Sequence, residues 1–222
     1  MKRESPFLCV ITDTTIQTRF SHLDLAKFAI RGGADMIQLR EKKMKSGELL
    51  ETASAIQKLC KEARVTFIVN DRVDIALLSG ADGVHLGQED LPIEYARKIL
   101  GKGKTIGETA GSLEQAIQLE KEGADYIGFG HVFPTRSKDK PSPAKGVAEL
   151  ERISRSISIP VIAIGGISHA NLPSLLVARP AGIAVIQAVC GKDNPEEATR
   201  ELKSLLMGDT SNLSIAQREV SP

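Results

Sequence analysis

The chain has 222 residues, 41% of them hydrophobic, and its 29 basic residues face 28 acidic ones for a net charge of +1. That length suits one large domain or two small ones, and a single α/β barrel fits it without remainder; a chain of this size has an ample core, burying about 70% of its unfolded surface. The balanced charge gives no electrostatic case for nucleic acid or an acidic membrane, and no stretch approaches the roughly 18 uninterrupted apolar residues of a membrane helix.

Short apolar runs alternate with longer amphipathic ones along the whole chain. Residues 7–12 read as a first strand and 23–31 as a helix closed by Gly32-Gly33 in a C-cap position. A second unit pairs 36–39 with a helix over 46–61, whose first turn Ser46 and Glu48 favour. Residues 66–69 and 72–78 follow, then 83–86 and 92–100, with Pro92 suited to a first helical turn. Residues 105–107 make a weak strand before a helix over 112–122. The last units are 126–129 with 147–154, 160–164 with 171–177, and 182–186 with 195–206.

Eight such β-then-α units are the count that closes a single (β/α)8 TIM barrel over residues 1–207. From Gly208 the apolar period fades, which predicts a disordered tail over 208–222. Gly33-Ala34-Asp35, Gly80-Ala81-Asp82 and Gly123-Ala124-Asp125 each end a helix and lead into a strand, as a repeated αβ turn does. Pro180-Ala181-Gly182 takes the fourth such place without the Asp.

Cys9, Cys60 and Cys190 are odd in number and widely spaced, so neither a disulfide framework nor a zinc site is indicated and a reduced cytoplasmic setting follows. The apolar run 7–11 is too short for the core of a signal peptide.

In such a barrel the chemistry collects where the strands end at their C-terminal face. Gln38, Arg40, Glu41 and Lys42 stand around the end of strand 2, Asn70 and Asp71 after strand 3, His85, Gln88 and Asp90 around strand 4, and Thr109 after strand 5. The loop after strand 6, Gly130 to Lys138, holds His131, Thr135, Arg136, Ser137 and Lys138: an imidazole, two hydroxyls and two cations. Lys138 to Pro143 predicts a mobile segment that closes on substrate.

Asp71 and Asp90 follow neighbouring strands, so their carboxylates can converge on one hard cation such as Mg2+. Each also stands just ahead of a helical run and would serve as its cap. Spacing favours neither reading. Arg40, Lys42 and Lys138 bring cationic charge from separate loops, which suits a pyrophosphate. Gly165-Gly166 and the turn at Ile186-Gln187 match the usual barrel phosphate site, where backbone N–H groups approach the ligand. His131 is a candidate general acid or base and His85 a candidate anchor of the strand 4 loop, while His22 and His169 look incidental.

Together, Gln38-Leu39-Arg40-Glu41-Lys42, Asn70-Asp71, His85-Leu86-Gly87-Gln88-Glu89-Asp90, Pro134-Thr135-Arg136-Ser137-Lys138 and Ile164-Gly165-Gly166-Ile167 resemble the thiamine phosphate synthase family over residues 7–206. The resemblance implies a transferase of thiamine biosynthesis that joins hydroxymethylpyrimidine diphosphate to a thiazole phosphate with release of pyrophosphate. It places Mg2+ on Asp71 and Asp90, the diphosphate on Arg40, Lys42, Asn70, Thr109 and Lys138, and the pyrimidine near Gln38. Thr135, Ser137, Gly166 and the Ile186-Gln187 backbone would hold the thiazole phosphate, with Gly165 and His85 among the residues around the substrates. The family's reaction breaks the C–O bond first and leaves a pyrimidine cation that the thiazole nitrogen captures, so no covalent nucleophile is needed.

Four positions depart from the family pattern. Thr109 replaces a Ser, Gly111 a common His, Gln187 a Ser, and His131 a Pro. Gly130-His131-Val132-Phe133 resembles the related thiazole tautomerase, whose equivalent His moves a proton on the ring. A tautomerase leaves Asp71, Asp90, Arg40 and Lys42 unexplained, whereas a synthase leaves only His131 so. A third reading is a non-catalytic, regulatory barrel that binds thiazole or thiamine phosphate. The partners expected are small-molecule substrates, with homo-oligomer formation left open.

Overall fold

The computed structural model describes residues 6–135 and 143–208. Arg136, Ser137, Lys138, the segment expected to close on substrate up to residue 142, and the tail from residue 209 lie outside the described residues.

The elements run β1 (Phe7–Thr12), α1 (His22–Arg31), β2 (Met36–Leu39), α2 (Ser46–Ala63), β3 (Thr66–Asn70), α3 (Val73–Ser79), β4 (Gly83–Leu86) and α4 (Ile93–Leu100). They continue with β5 (Thr105–Ala110), α5 (Leu113–Glu122), β6 (Tyr126–Gly130), α6 (Gly146–Ser156), β7 (Val161–Ile164), α7 (Leu172–Leu176), β8 (Gly182–Val185), α8 (Gln187–Cys190) and α9 (Pro195–Leu206). The eight strands pair in parallel and in chain order, and β8 closes on β1. This is the (β/α)8 barrel that the alternation predicts.

Side-chain alternation splits the apolar residues into two cores. Leu8, Val10, Ile37, Val69 and Ile127 face outward and pack with the helices in the larger layer. Cys9, Ile11, Met36, Ile68, Tyr126, Ile162 and Ala184 fill the barrel interior. The interior plug blocks any through-channel and leaves the chemistry to the strand ends above it.

The repeated turn has a specific task at the opposite, N-terminal face. Asp35, Asp82 and Asp125 each accept a hydrogen bond from the backbone of the preceding strand, at Leu8, Phe67 and Ile106, over 2.8, 2.8 and 2.7 Å. The preceding glycines take positive φ of 92°, 74° and 93°, the conformation that ends the helix and turns the chain into the strand. At the fourth place Arg179, with φ 51°, supplies the left-handed residue instead.

Several boundaries differ from the sequence expectation. β5 runs to Ala110, so Thr109 stands inside a strand and not after it. α4 begins at Ile93 with Pro92 as its N-cap, and α7 is confined to Leu172–Leu176. β8 ends at Val185, and Ile186 caps the additional four-residue helix α8.

Candidate active site

Two adjoining cavities open at the C-terminal ends of the strands. The first is lined by Gln38, Arg40, Asn70, His85 and Tyr126 above the apolar floor of Cys9, Ile11 and Ile162. The second is lined by Gly130, His131, Thr135, Gly165, Gly166, Ile167 and Gln187. Thr109, Ile164, Ala184 and Ile186 line both, so they form the wall where the cavities meet.

Strand register explains this grouping. Gln38 lies opposite Ile68, Asn70 opposite His85, and His85 opposite Gly107, so every second residue of β2 to β5 points into the lumen. His85, within β4 as expected, therefore points into the barrel lumen. Its Nδ1 is 3.0 Å from the Tyr126 hydroxyl and its Nε2 2.9 Å from Thr109 Oγ1.

Charged side chains gather at the strand ends beside Arg40 and Asn70. Lys42 forms an ion pair with Asp71, and Arg40 one with the buried Asp13. Asp90 accepts a hydrogen bond from the Gly87 backbone over 2.7 Å, which tightens the loop after β4. Neither Asp71 nor Asp90 caps a helix, because Arg72 and Pro92 hold the N-cap positions of α3 and α4. Burial and contact with Asp71 raise the pKa of Asp90, against the Gly87 backbone hydrogen bond and the pull of Lys42. Two carboxylates in contact repel unless a proton or a cation lies between them, so this pair fits a hard divalent ion whose remaining positions go to water or phosphate oxygens. Among the described residues no group of three or more His, Cys, Asp or Glu side chains gathers for a metal.

In the second cavity the backbone of the turn after β7 packs closely against the loop after β6. Gly166 has φ 68°, and a Cβ there would lie 2.5 Å from the Pro134 carbonyl oxygen. Asn171 fixes this turn by donating to the Gly166 carbonyl over 2.8 Å and accepting from the Ser168 backbone over 2.8 Å. Across the cavity Ile186 and Gln187 begin α8, so its first N–H groups add to the same wall.

One further group carries more than the sequence suggests. His22 is not incidental: it is buried at the start of α1, 2.9 Å from Thr12 Oγ1 and 3.2 Å from Glu41 Oε2. Burial pushes the Glu41 pKa up, but the Lys43 and Met44 backbone and His22 outweigh it and leave the carboxylate below its ordinary value. This network braces the loop that carries Arg40 and Lys42. His169 lies away from the cavities and pairs with Glu201 over 3.2 Å. Asp13, Tyr126 and Asn171 escape sequence reasoning because their partners are distant in the chain or are backbone atoms.

Comparison with known proteins places the chain beside one group. Residues 8–189 match the family model described as thiamine monophosphate synthase. A relative named thiamine-phosphate synthase from Chlorobium limicola is 52% identical over 91% of this chain and 94% of its own length. One of the same name from Methanocella arvoryzae is 49% identical over 90% and 94%. The solved structure of thiamine phosphate pyrophosphorylase from Pyrococcus furiosus superposes with a TM-score of 0.84 at 40% identity, over 91% of this chain and 96% of that one.

Proposed function

The chain belongs to the thiamine monophosphate synthase family, and we propose that its two cavities divide the two substrates of that transfer between them. The shared wall carries this reading: a cavity lined by Gln38, Arg40, Asn70 and His85 and a glycine-turn cavity meet at Thr109, Ile164, Ala184 and Ile186. Hydroxymethylpyrimidine diphosphate fits the first, with the pyrimidine beside Gln38 and the diphosphate towards Asn70, Arg40 and Lys42. The thiazole phosphate fits the second, its phosphate on the backbone of Gly166 and Ile186-Gln187.

Asp71 and Asp90 would hold Mg2+, which when bound supplies positive charge to the diphosphate oxygens. Arg40 and Lys42 bind the same oxygens and stabilise the negative charge that grows as the C–O bond breaks and pyrophosphate leaves with the electron pair. The thiazole nitrogen then donates its lone pair to the pyrimidine carbon at the shared wall, where Ile164, Ala184 and Ile186 exclude water that would compete for that carbon. Ser137 and Lys138 belong to this proposal through the family resemblance.

A second reading rests on His131. The imidazole lines the thiazole cavity, a position from which it can move a proton on that ring. The synthase reading accounts in addition for the Asp71, Asp90, Arg40 and Lys42 cluster. A cytoplasmic location is part of the same proposal: Cys9, Cys60 and Cys190 are free and buried, with burial pushing each thiol pKa up to about 12. Among the described residues no helix is long and apolar enough to cross a membrane.

The division of substrates is tested by calorimetric titration with unreactive ligands. Inorganic pyrophosphate with Mg2+ and thiazole phosphate should each bind in the presence of the other. Mutual exclusion would mean one shared site and would overturn the reading.

A further inference from the structure

A hydrogen-bond chain inside the barrel leads from a buried phenol to the wall between the cavities. Tyr126 on β6, His85 on β4 and Thr109 on β5 all point into the lumen. Space for the two rings comes from their neighbours: a Cβ on Gly107 would lie 2.0 Å from Tyr126 Cζ, and one on Gly128 2.9 Å from His85 Cε1. The rings stack with centroids 5.5 Å apart and 24° between their planes. The imidazole is thus held in place by packing as well as by its hydrogen bonds.

The direction of the chain follows from the number of donors. A phenol has one proton to give, and among the described residues the Tyr126 hydroxyl has His85 Nδ1 as its hydrogen-bond partner, at 3.0 Å. Burial pushes the Tyr126 pKa well above 10, so the proton stays on the phenol. If Nδ1–H donated instead, the phenol proton would be left as an unsatisfied buried donor. The phenol therefore donates to Nδ1, and the neutral imidazole carries its own proton on Nε2. Nε2–H donates to Thr109 Oγ1 over 2.9 Å. With that oxygen engaged as an acceptor, the Thr109 hydroxyl proton is directed at the cavities.

We propose that Tyr126 is a positioning residue for the transfer: by donating to His85 Nδ1 it fixes the Nε2–H tautomer, and so sets Thr109 as a hydrogen-bond donor where the two substrates meet. This rests on the two-cavity reading above. A donor at that wall serves the diphosphate oxygen that gains negative charge as its bond to carbon breaks. With the opposite tautomer Thr109 would give its proton to Nε2 and turn only lone pairs to that oxygen.

Nitrogen-15 spectra of the ligand-free wild-type protein test the tautomer without any turnover. His85 should show an unprotonated Nδ1 and a protonated Nε2, and Tyr126→Phe, which keeps the ring, should mix the two tautomers. In kinetics Tyr126→Phe should lower kcat about tenfold to a hundredfold while both KM values stay within about twofold. Adding Thr109→Ala to Tyr126→Phe should cost little more than Thr109→Ala alone, because both changes remove one donor. A protonated Nδ1 in the wild type would overturn the proposal, as would fully additive losses or an unchanged kcat in Tyr126→Phe. If the wild type made no thiamine phosphate, the two-cavity reading would fall and the spectra alone would decide the tautomer.

Discussion

Asp13 at the end of β1 holds the guanidinium of Arg40 in an ion pair whose carboxylate is almost fully buried. The other carboxylate oxygen accepts from the Thr15 backbone and hydroxyl over 2.8 and 2.6 Å. Asp13 is thus fixed independently of Arg40 and serves as a rigid post for it. Arginine grips phosphate best when its fork is held in one orientation, so this post prepares the cation for a diphosphate.

Asp13→Asn tests that role, since an amide can keep the Thr15 contacts but not the charge. Stability should fall by about 1–3 kcal/mol, because Arg40 keeps some access to water. The KM for the pyrimidine diphosphate should rise about tenfold, with that for thiazole phosphate unchanged. Thermal melts and separate substrate titrations check both. An unchanged diphosphate KM would show that Arg40 needs no such post.

Glu108 gives a pH dependence. It points outward from β5, and burial, then Glu122 and Asp90, raise its pKa from 4.5 to about 7. The native state keeps this proton over a range in which the unfolded chain has lost it, so stability falls as the pH rises through 4.5 to 7. Discounted for partial solvent access, the loss is about 1–2 kcal/mol. Glu108→Gln should therefore be more stable than wild type at pH 8 and nearly equal to it at pH 5. Melts at the two pH values check this, and equal differences at both would contradict it.

Gly166→Ala should damage the thiazole cavity. The φ of 68° is unfavourable to a side chain, and the added Cβ would meet the Phe133 carbonyl oxygen at 2.7 Å as well as that of Pro134. A loss of about 1–3 kcal/mol in stability is expected from the strain. The KM for thiazole phosphate should rise by at least about tenfold, with smaller change for the diphosphate. A variant with wild-type KM values would remove this turn from the site.

Asp82→Ala probes the opposite face. The Phe67 N–H would lose its acceptor, which should cost about 1–3 kcal/mol of stability. Activity per folded molecule should stay the same, as expected of the N-terminal face of a barrel. A reduced kcat in fully folded protein would contradict that separation.

The barrel was legible because β1 to β4 and β6 to β8 are short apolar runs at regular spacing. β5 is longer than its sequence suggests because its inward residues Thr105, Gly107 and Thr109 are not large apolar side chains, while Glu108 interrupts the outward face; the strand lacks the apolar run that marks the others. Asp71 and Asp90 were visible as a pair from their strand ends, but spacing could not separate capping from convergence, which depends on side-chain direction. Nothing in the sequence marks His22, because its partners, Thr12 and Glu41, come from β1 and the loop after β2. Tyr126 looked like one more apolar strand residue, since nothing local marks its hydroxyl contact with His85, 41 positions away. A four-residue helix such as α8 is too short to show a period.

A metal-dependent transfer across the wall between the two cavities has a direct signature in its products. It is tested most directly by measuring pyrophosphate and thiamine phosphate formed from hydroxymethylpyrimidine diphosphate and thiazole phosphate, with Mg2+ and with EDTA, for wild type and Asp71→Asn. We expect the two products in equal amounts with Mg2+, none with EDTA, and a loss of at least about a hundredfold in Asp71→Asn. Equal rates in EDTA, or full activity in Asp71→Asn, would contradict the account.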